Sequence, residues 1–131
     1  MSRCPDLTAA ELRVMKALWA LDHGSVADVR TVLAARGQTL AYTTVMTLLG
    51  RLATKGAVSV DKAREPFVYR PAHRRELVLR ERLRDFVRDV FDGQAGSLVM
   101  NLVEDASLTR AELKAIENTI ADAERTPREN K

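Results

Sequence analysis

Ala41-Tyr42-Thr43-Thr44-Val45-Met46-Thr47-Leu48-Leu49-Gly50-Arg51-Leu52-Ala53-Thr54-Lys55-Gly56 is the stretch on which the reading of this chain turns. At about 100° per residue from Thr43, the residues Tyr42, Val45, Met46, Leu48, Leu49, Leu52 and Ala53 fall between roughly 140° and 300°. Thr43, Thr44, Thr47, Gly50, Arg51, Thr54 and Lys55 fall between roughly 340° and 120°. The stretch therefore predicts an amphipathic helix from Ala41 to Lys55, closed by Gly56, with the first arc facing the core. Its polar arc is unlike an ordinary solvent face, which is rich in Glu, Lys and Gln. Four threonines, a glycine, an arginine and a lysine stand there without one acid, at some cost in helix propensity. Threonine hydroxyls and methyls suit phosphates, base edges and the thymine methyl group, and a glycine allows close approach to a surface.

Past Gly56 the period changes from helical to alternating. Ala57-Val58-Ser59-Val60-Asp61 reads as a strand, Lys62-Ala63-Arg64-Glu65-Pro66 as a charged turn, and Phe67-Val68-Tyr69-Arg70-Pro71 as the return strand of a hairpin. Upstream, Thr8 and Glu11 have the spacing of a capping box, with Leu7 placed to staple onto Leu12. The helix they open carries Leu12, Met15, Leu18 and Trp19 on its apolar side and ends at His23-Gly24. Ser25 and Asp28 repeat the cap before a short helix with Val26, Val29 and Leu33 inward, ending near Gly37. Three helices followed by a hairpin with a basic tip make a winged helix over residues 1–73. In that arrangement the third helix enters the major groove, and Lys62 and Arg64 at the wing tip reach the flanking backbone.

Charge is placed accordingly. The 131-residue chain has 21 Lys+Arg, 18 Asp+Glu and a net charge of +3, with a pI near 9.3. Residues 1–73 hold ten bases and six acids, a net of +4, while residues 74–131 hold eleven bases and twelve acids, a net of −1. No acid occurs between Asp28 and Asp61, so a polyanion would meet that region first.

From Arg74 the chain turns helical again. Leu79, Leu83, Phe86, Val87, Val90 and Phe91 form an apolar stripe that stops at Asp92-Gly93, and Gly93-Gln94-Ala95-Gly96 is the clearest break. Ser97-Leu98-Val99-Met100-Asn101-Leu102-Val103-Glu104 reads as a short, strongly apolar helix. A capping box at Thr109 and Glu112 opens a last helix with Leu113, Ile116 and Ile120 inward, and the tail from Thr126 is expected to fray. Residues 74–131 cannot bury these stripes unaided, and pairing with a second copy of the chain solves the problem. The expected dimer contacts are Leu79, Leu83, Phe86, Val90, Leu98, Val99, Leu102, Val103 and Ile116. The competing arrangement folds the three helices back onto the chain's own winged helix.

The run Ala41–Gly56 with the Phe67-Val68-Tyr69 wing strand closely resembles the BlaI/MecI/CopY family of bacterial repressors, and Ser97–Glu104 looks like that family's dimerisation helix. The two matches stand in the right order and span most of the chain from Thr8 to Ala123. The resemblance implies a homodimeric winged-helix repressor on a palindromic operator of the TACA/TGTA type, controlling β-lactam resistance or a related response. It also implies release through a membrane sensor metalloprotease that triggers cleavage after an Asn of the short helix, which here is the Asn101-Leu102 bond. The family more often has an aromatic residue after that Asn. CopY-type members carry a cysteine-rich C-terminal metal site, for which this chain, with no cysteine beyond Cys4, has no ligands.

The same residues exclude other classes. One cysteine with His23 and His73 cannot assemble a zinc site of the usual ligand count, no apolar run reaches the roughly 18 residues of a spanning helix, and there is no signal-like N-terminus. A reduced, cytoplasmic protein without cofactor or metal is expected. No nucleophile, carboxylate pair or glycine-rich phosphate loop stands at a telling spacing, so no catalytic residue is assigned. The expected DNA contacts are Tyr42, Thr43, Thr44, Thr47, Arg51, Lys55, Lys62 and Arg64. The alternative is a winged-helix module that binds protein rather than DNA, against which the acid-free interval from Asp28 to Asp61 speaks.

Overall fold

The computed structural model describes residues 3–125. The sequence from Thr126, expected to fray, lies outside them. Within them the order is α1 (Ala9–Leu21), α2 (Val26–Ala35), α3 (Tyr42–Lys55), β1 (Val58–Asp61), β2 (Val68–Pro71), α4 (Arg75–Phe91), α5 (Ala95–Glu104) and α6 (Arg110–Arg125). The protein is mainly helical with one small hairpin, and α1, α2, α3 and the hairpin form the expected winged helix.

Local chemistry sets the helix ends. The Thr8 hydroxyl accepts from the Glu11 N–H at 3.1 Å while the Glu11 carboxylate accepts from the Thr8 N–H at 2.9 Å, and Ser25 with Asp28 repeats the exchange ahead of α2. A third box closes on Thr109 and Glu112 before α6. Gly56 ends α3 at φ 83°, where a side chain would be strained. Gly24 differs from the expected helix terminator. Asp22 closes α1 at φ 73°, and Gly24 instead exchanges both backbone hydrogen bonds with Tyr69 at 2.8 and 3.0 Å. That bridge ties the segment before α2 to the wing strand. A Cβ at Gly24 would come within 3.1 Å of the Asp28 Cβ, so the position needs a small residue more than a turn former.

The first core takes Val14, Met15 and Leu18 from α1, Val29 and Leu33 from α2, and Val45, Leu49 and Leu52 from α3. Ala57, Val58 and Tyr69 of the hairpin close it. On α1, Met15 and Leu18 are buried as expected, but Leu12 and Trp19 are only half-buried, and Val14 and Ala17 take the deeper places. The Trp19 indole N–H reaches the His73 carbonyl at 2.9 Å, so its ring flanks the core with its polar end satisfied. The hairpin is antiparallel with Val60 opposite Tyr69 and Asp61 opposite Val68.

Two compact units divide between Leu83 and Arg84. The first extends beyond His73 because the opening turns of α4 belong to it. Val78 is 1% exposed in its core, the Glu81 carboxylate accepts from the Cys4 N–H at 3.2 Å, and Arg82 donates to the Leu7 carbonyl at 3.1 Å. The second unit contains the rest of α4 with α5 and α6. Neither α5 nor α6 buries a residue fully. Phe86 and Phe91 meet at a centroid distance of 5.7 Å, and Leu98, Leu102, Leu108 and Leu113 are half-buried. Phe86, Val90, Val99, Met100, Val103, Ile116 and Ile120 remain exposed.

Candidate nucleic-acid interface

The amphipathic split of α3 is real, and narrower on its apolar side than the periodicity implied. Val45, Leu48, Leu49 and Leu52 are buried, whereas Tyr42 and Met46, expected inward, are each 45% exposed. The hydrophobic arc is therefore four residues wide at full burial, with half-buried Ala53 beside it. The edge carrying Tyr42 and Met46 is left uncovered.

Thr43, Thr44, Thr47 and Arg51 are all exposed and together line a shallow concavity of about 230 Å³ floored by Leu48. Gly50 adjoins them, and nothing lies within 4 Å of where its Cβ would be, so its lack of a side chain serves no internal packing. Ala41 precedes the helix without any side-chain cap, and the first turn has no acid. Such an end favours an approaching phosphate. The turn in front is held by Arg30, whose Nε donates to the Leu40 carbonyl at 2.8 Å, a contact with no signal in the sequence pattern.

Lys55 is placed differently from the expectation that it meets phosphate. Its ammonium pairs with the Glu11 carboxylate at 2.5 Å and donates to the Asp6 carbonyl at 3.0 Å. Glu11 is 1% exposed. Burial pushes its carboxyl up, but the hydrogen bonds from Lys55 and the Thr8 N–H and the Lys55 charge outweigh that, and the pKa lies below the ordinary glutamate value. A buried carboxylate thus holds this cation, which fastens the end of α3 to the start of α1. The capping box revealed that Glu11 faces its own backbone. Nothing in the spacing revealed that Lys55, 44 positions away, would share it.

The wing tip keeps its cations outward. Asp61 accepts from the Ala63 N–H at 2.9 Å and shapes the turn, with Arg64 at 3.9 Å from the same side chain but 70% exposed. That exposed pair holds Arg64 weakly. The Lys62 ammonium lies 5.9 Å from the centre of the Phe67 ring, a cation–π contact made by an exposed side chain. The structure therefore brings Thr43, Thr44, Thr47 and Arg51 onto one surface and sets Lys62 and Arg64 on the wing. It withdraws Lys55.

The family model described as penicillinase repressor matches residues 7–122. The chain belongs to the penicillinase repressor family. It is similar to the penicillinase repressor of Bacillus licheniformis, with 29% identity over 118 residues that span 88% of this chain and 90% of the relative. It is also similar to the methicillin resistance regulatory protein MecI of Staphylococcus aureus (strain N315), at 24% identity over 115 residues, 88% of this chain and 93% of the relative. Among solved structures, the DNA-binding domain of the repressor BlaI aligns at 33% identity over 57% of this chain and 90% of that one, with a TM-score of 0.49. Monomeric Bacillus licheniformis BlaI in complex with the blaP half-operator aligns at 33% identity over 58% and 92%, with a TM-score of 0.48. Membership of that family makes this chain a repressor of transcription and not an enzyme. Among the described residues no helix is long and apolar enough to cross a membrane.

Proposed function

We propose that this repressor works in the cytoplasm as a homodimer on a palindromic operator, with residues 1–73 as the reading head and 74–131 as the pairing region. One observation carries the dimer. Of the ten large hydrophobic side chains left exposed among the described residues, eight lie between Leu83 and Ile120, on helices that bury almost nothing of their own. A surface so apolar in a soluble regulator calls for a partner, and a second copy offers the same stripe by symmetry. Leu83, Phe86, Val90, Val99, Val103 and Ile116 form the contact. Leu98 and Leu102 support it from within the unit, and Leu79 continues the stripe toward the reading head.

Thr43, Thr44, Thr47 and Arg51 read bases, Tyr42 flanks them, and Lys62 and Arg64 meet phosphates. Gel shifts of the full chain on a TACA/TGTA duplex and on random duplex test this. Arg51→Ala and Thr47→Ala lose about ten- to hundredfold on the operator and little on random DNA. Wild-type behaviour of both variants would overturn the assignment of α3. Lys62→Ala weakens both duplexes alike and lowers the salt slope by about one phosphate.

Release by a cut at Asn101-Leu102 fits the placement of α5. Asn101 is exposed at the start of the last turn, its side-chain amide donating to the Ser97 carbonyl at 2.9 Å and its backbone carbonyl accepting from the Asp105 N–H at 3.0 Å. A protease needs this backbone extended, so α5 must unwind locally before cleavage. The cut severs the helix that carries Val99 on one side of the break and Val103 on the other. The protease is the membrane sensor metalloprotease or one that it activates, and the controlled genes serve β-lactam resistance or a related response.

A further inference from the structure

In the winged-helix unit up to Val78, the exposed large hydrophobic side chains among the described residues are two, Tyr42 and Met46, one turn apart on α3. Every other large apolar side chain of that unit up to Val78 is buried or half-buried. The exposure is therefore concentrated on a single margin of a single helix. Around the helix that margin borders Gly50 and Thr43, the near edge of the surface formed with Thr47 and Arg51. Met46 has Thr43 at i−3 and Gly50 at i+4, so its thioether chain runs alongside a threonine and an unfilled space. Lys or Gln would serve a purely solvated margin equally well as helix formers and without leaving apolar surface in water.

We propose that Met46 is a further specificity residue of this repressor, packing against the C5-methyl groups of thymines in the major groove beside the bases that Thr43, Thr47 and Arg51 address. The thymine methyl is the apolar feature that the groove presents, and it is met by apolar contact rather than by a hydrogen bond. Methionine is flexible and polarisable enough to follow a methyl group across the helix margin, and the bare Cα of Gly50 lets the groove edge come close on that side. The proposal rests on the assignment of α3 as the reading helix. It differs from the periodicity of the sequence, which sends Met46 to the core.

Uracil replaces thymine without its methyl and leaves the hydrogen-bonding edge unchanged, which isolates the contact. The test measures binding of the full chain to a TACA/TGTA operator duplex and to duplexes with uracil at one thymine position of each half-site in turn. Wild type loses about fourfold per contacted methyl, compounding when both half-sites change. Met46→Ala weakens the thymine duplex by a similar factor and no longer distinguishes uracil at those positions, and Met46→Leu restores the distinction. Because the side chain is half-exposed, the thermal midpoint of Met46→Ala stays near wild type. A flat uracil scan in wild type, or a Met46→Ala variant that keeps the wild-type penalties, overturns the proposal while leaving α3 as the reading helix. A wild-type chain with no preference for operator over random duplex overturns both.

Discussion

Val99→Glu combined with Val103→Glu yields a monomer whose winged helix is still folded and whose affinity for a two-half-site operator falls by about 10²–10⁴-fold. The two valines are one turn apart on α5 and exposed, so the glutamates meet no core of their own unit. In a dimer they would bring four carboxylates into an apolar contact, at a desolvation cost that no partner cation offsets. Affinity falls that far because a linked pair of heads binds its second half-site as an intramolecular event, and separate monomers forfeit that effective concentration. Binding to an isolated half-site changes little. Sedimentation equilibrium gives the mass, and gel shifts on whole and half operators give the two affinities. A variant that still sediments as a dimer, or that keeps wild-type affinity for the whole operator, would remove α5 from the interface. A cut at Asn101-Leu102 should reproduce the same pattern, since it destroys the same surface.

How far the sequence reveals this molecule depends on the distance over which each signal acts. The three capping boxes at Thr8, Ser25 and Thr109 are local chemistry and formed as the spacing predicts. The hairpin after Gly56 follows equally from a change of period within fifteen residues. Burial on α3 was legible only at its centre. Periodicity locates the middle of an apolar arc, but its width depends on how much of the helix its neighbours cover, and that left Tyr42 and Met46 outside. Gly24 looked like a helix stop because glycine often is one. Its pairing with Tyr69 depends on a strand 45 positions later, and the extension of the first unit to Leu83 depends on contacts from Glu81 and Arg82 back to Cys4 and Leu7. Lys55 is the same case at the site itself. From the helical wheel it belongs with the groove-facing cations, and only the fold shows a buried carboxylate within its reach.

That placement of Lys55 has a large consequence for stability. Removing one member of a buried ion pair costs about 3–5 kcal/mol, and Lys55→Met should fall at the lower end because the lysine keeps a third of its surface in water. The cost arises from Glu11, left nearly fully buried with only the Thr8 backbone and side chain to stabilise its charge. Glu11→Gln added to Lys55→Met recovers most of the loss, since the glutamine oxygen still accepts from the Thr8 N–H. The pH dependence separates the variants. In wild type the Glu11 pKa is lowered on folding, so its contribution is complete above the ordinary glutamate value of 4.5 and is lost as pH falls through the folded value. Without Lys55, burial raises the pKa instead, and Lys55→Met should gain stability on mild acidification where wild type does not. Urea titrations at neutral pH and near pH 5 measure both effects. Equal stability of Lys55→Met and wild type, or a double variant no better than the single, would contradict the pairing. DNA binding supplies an independent check: if Lys55 fastens α3 to α1 and touches no phosphate, folded Lys55→Met retains the full wild-type salt slope, whereas Lys62→Ala loses about one unit of it.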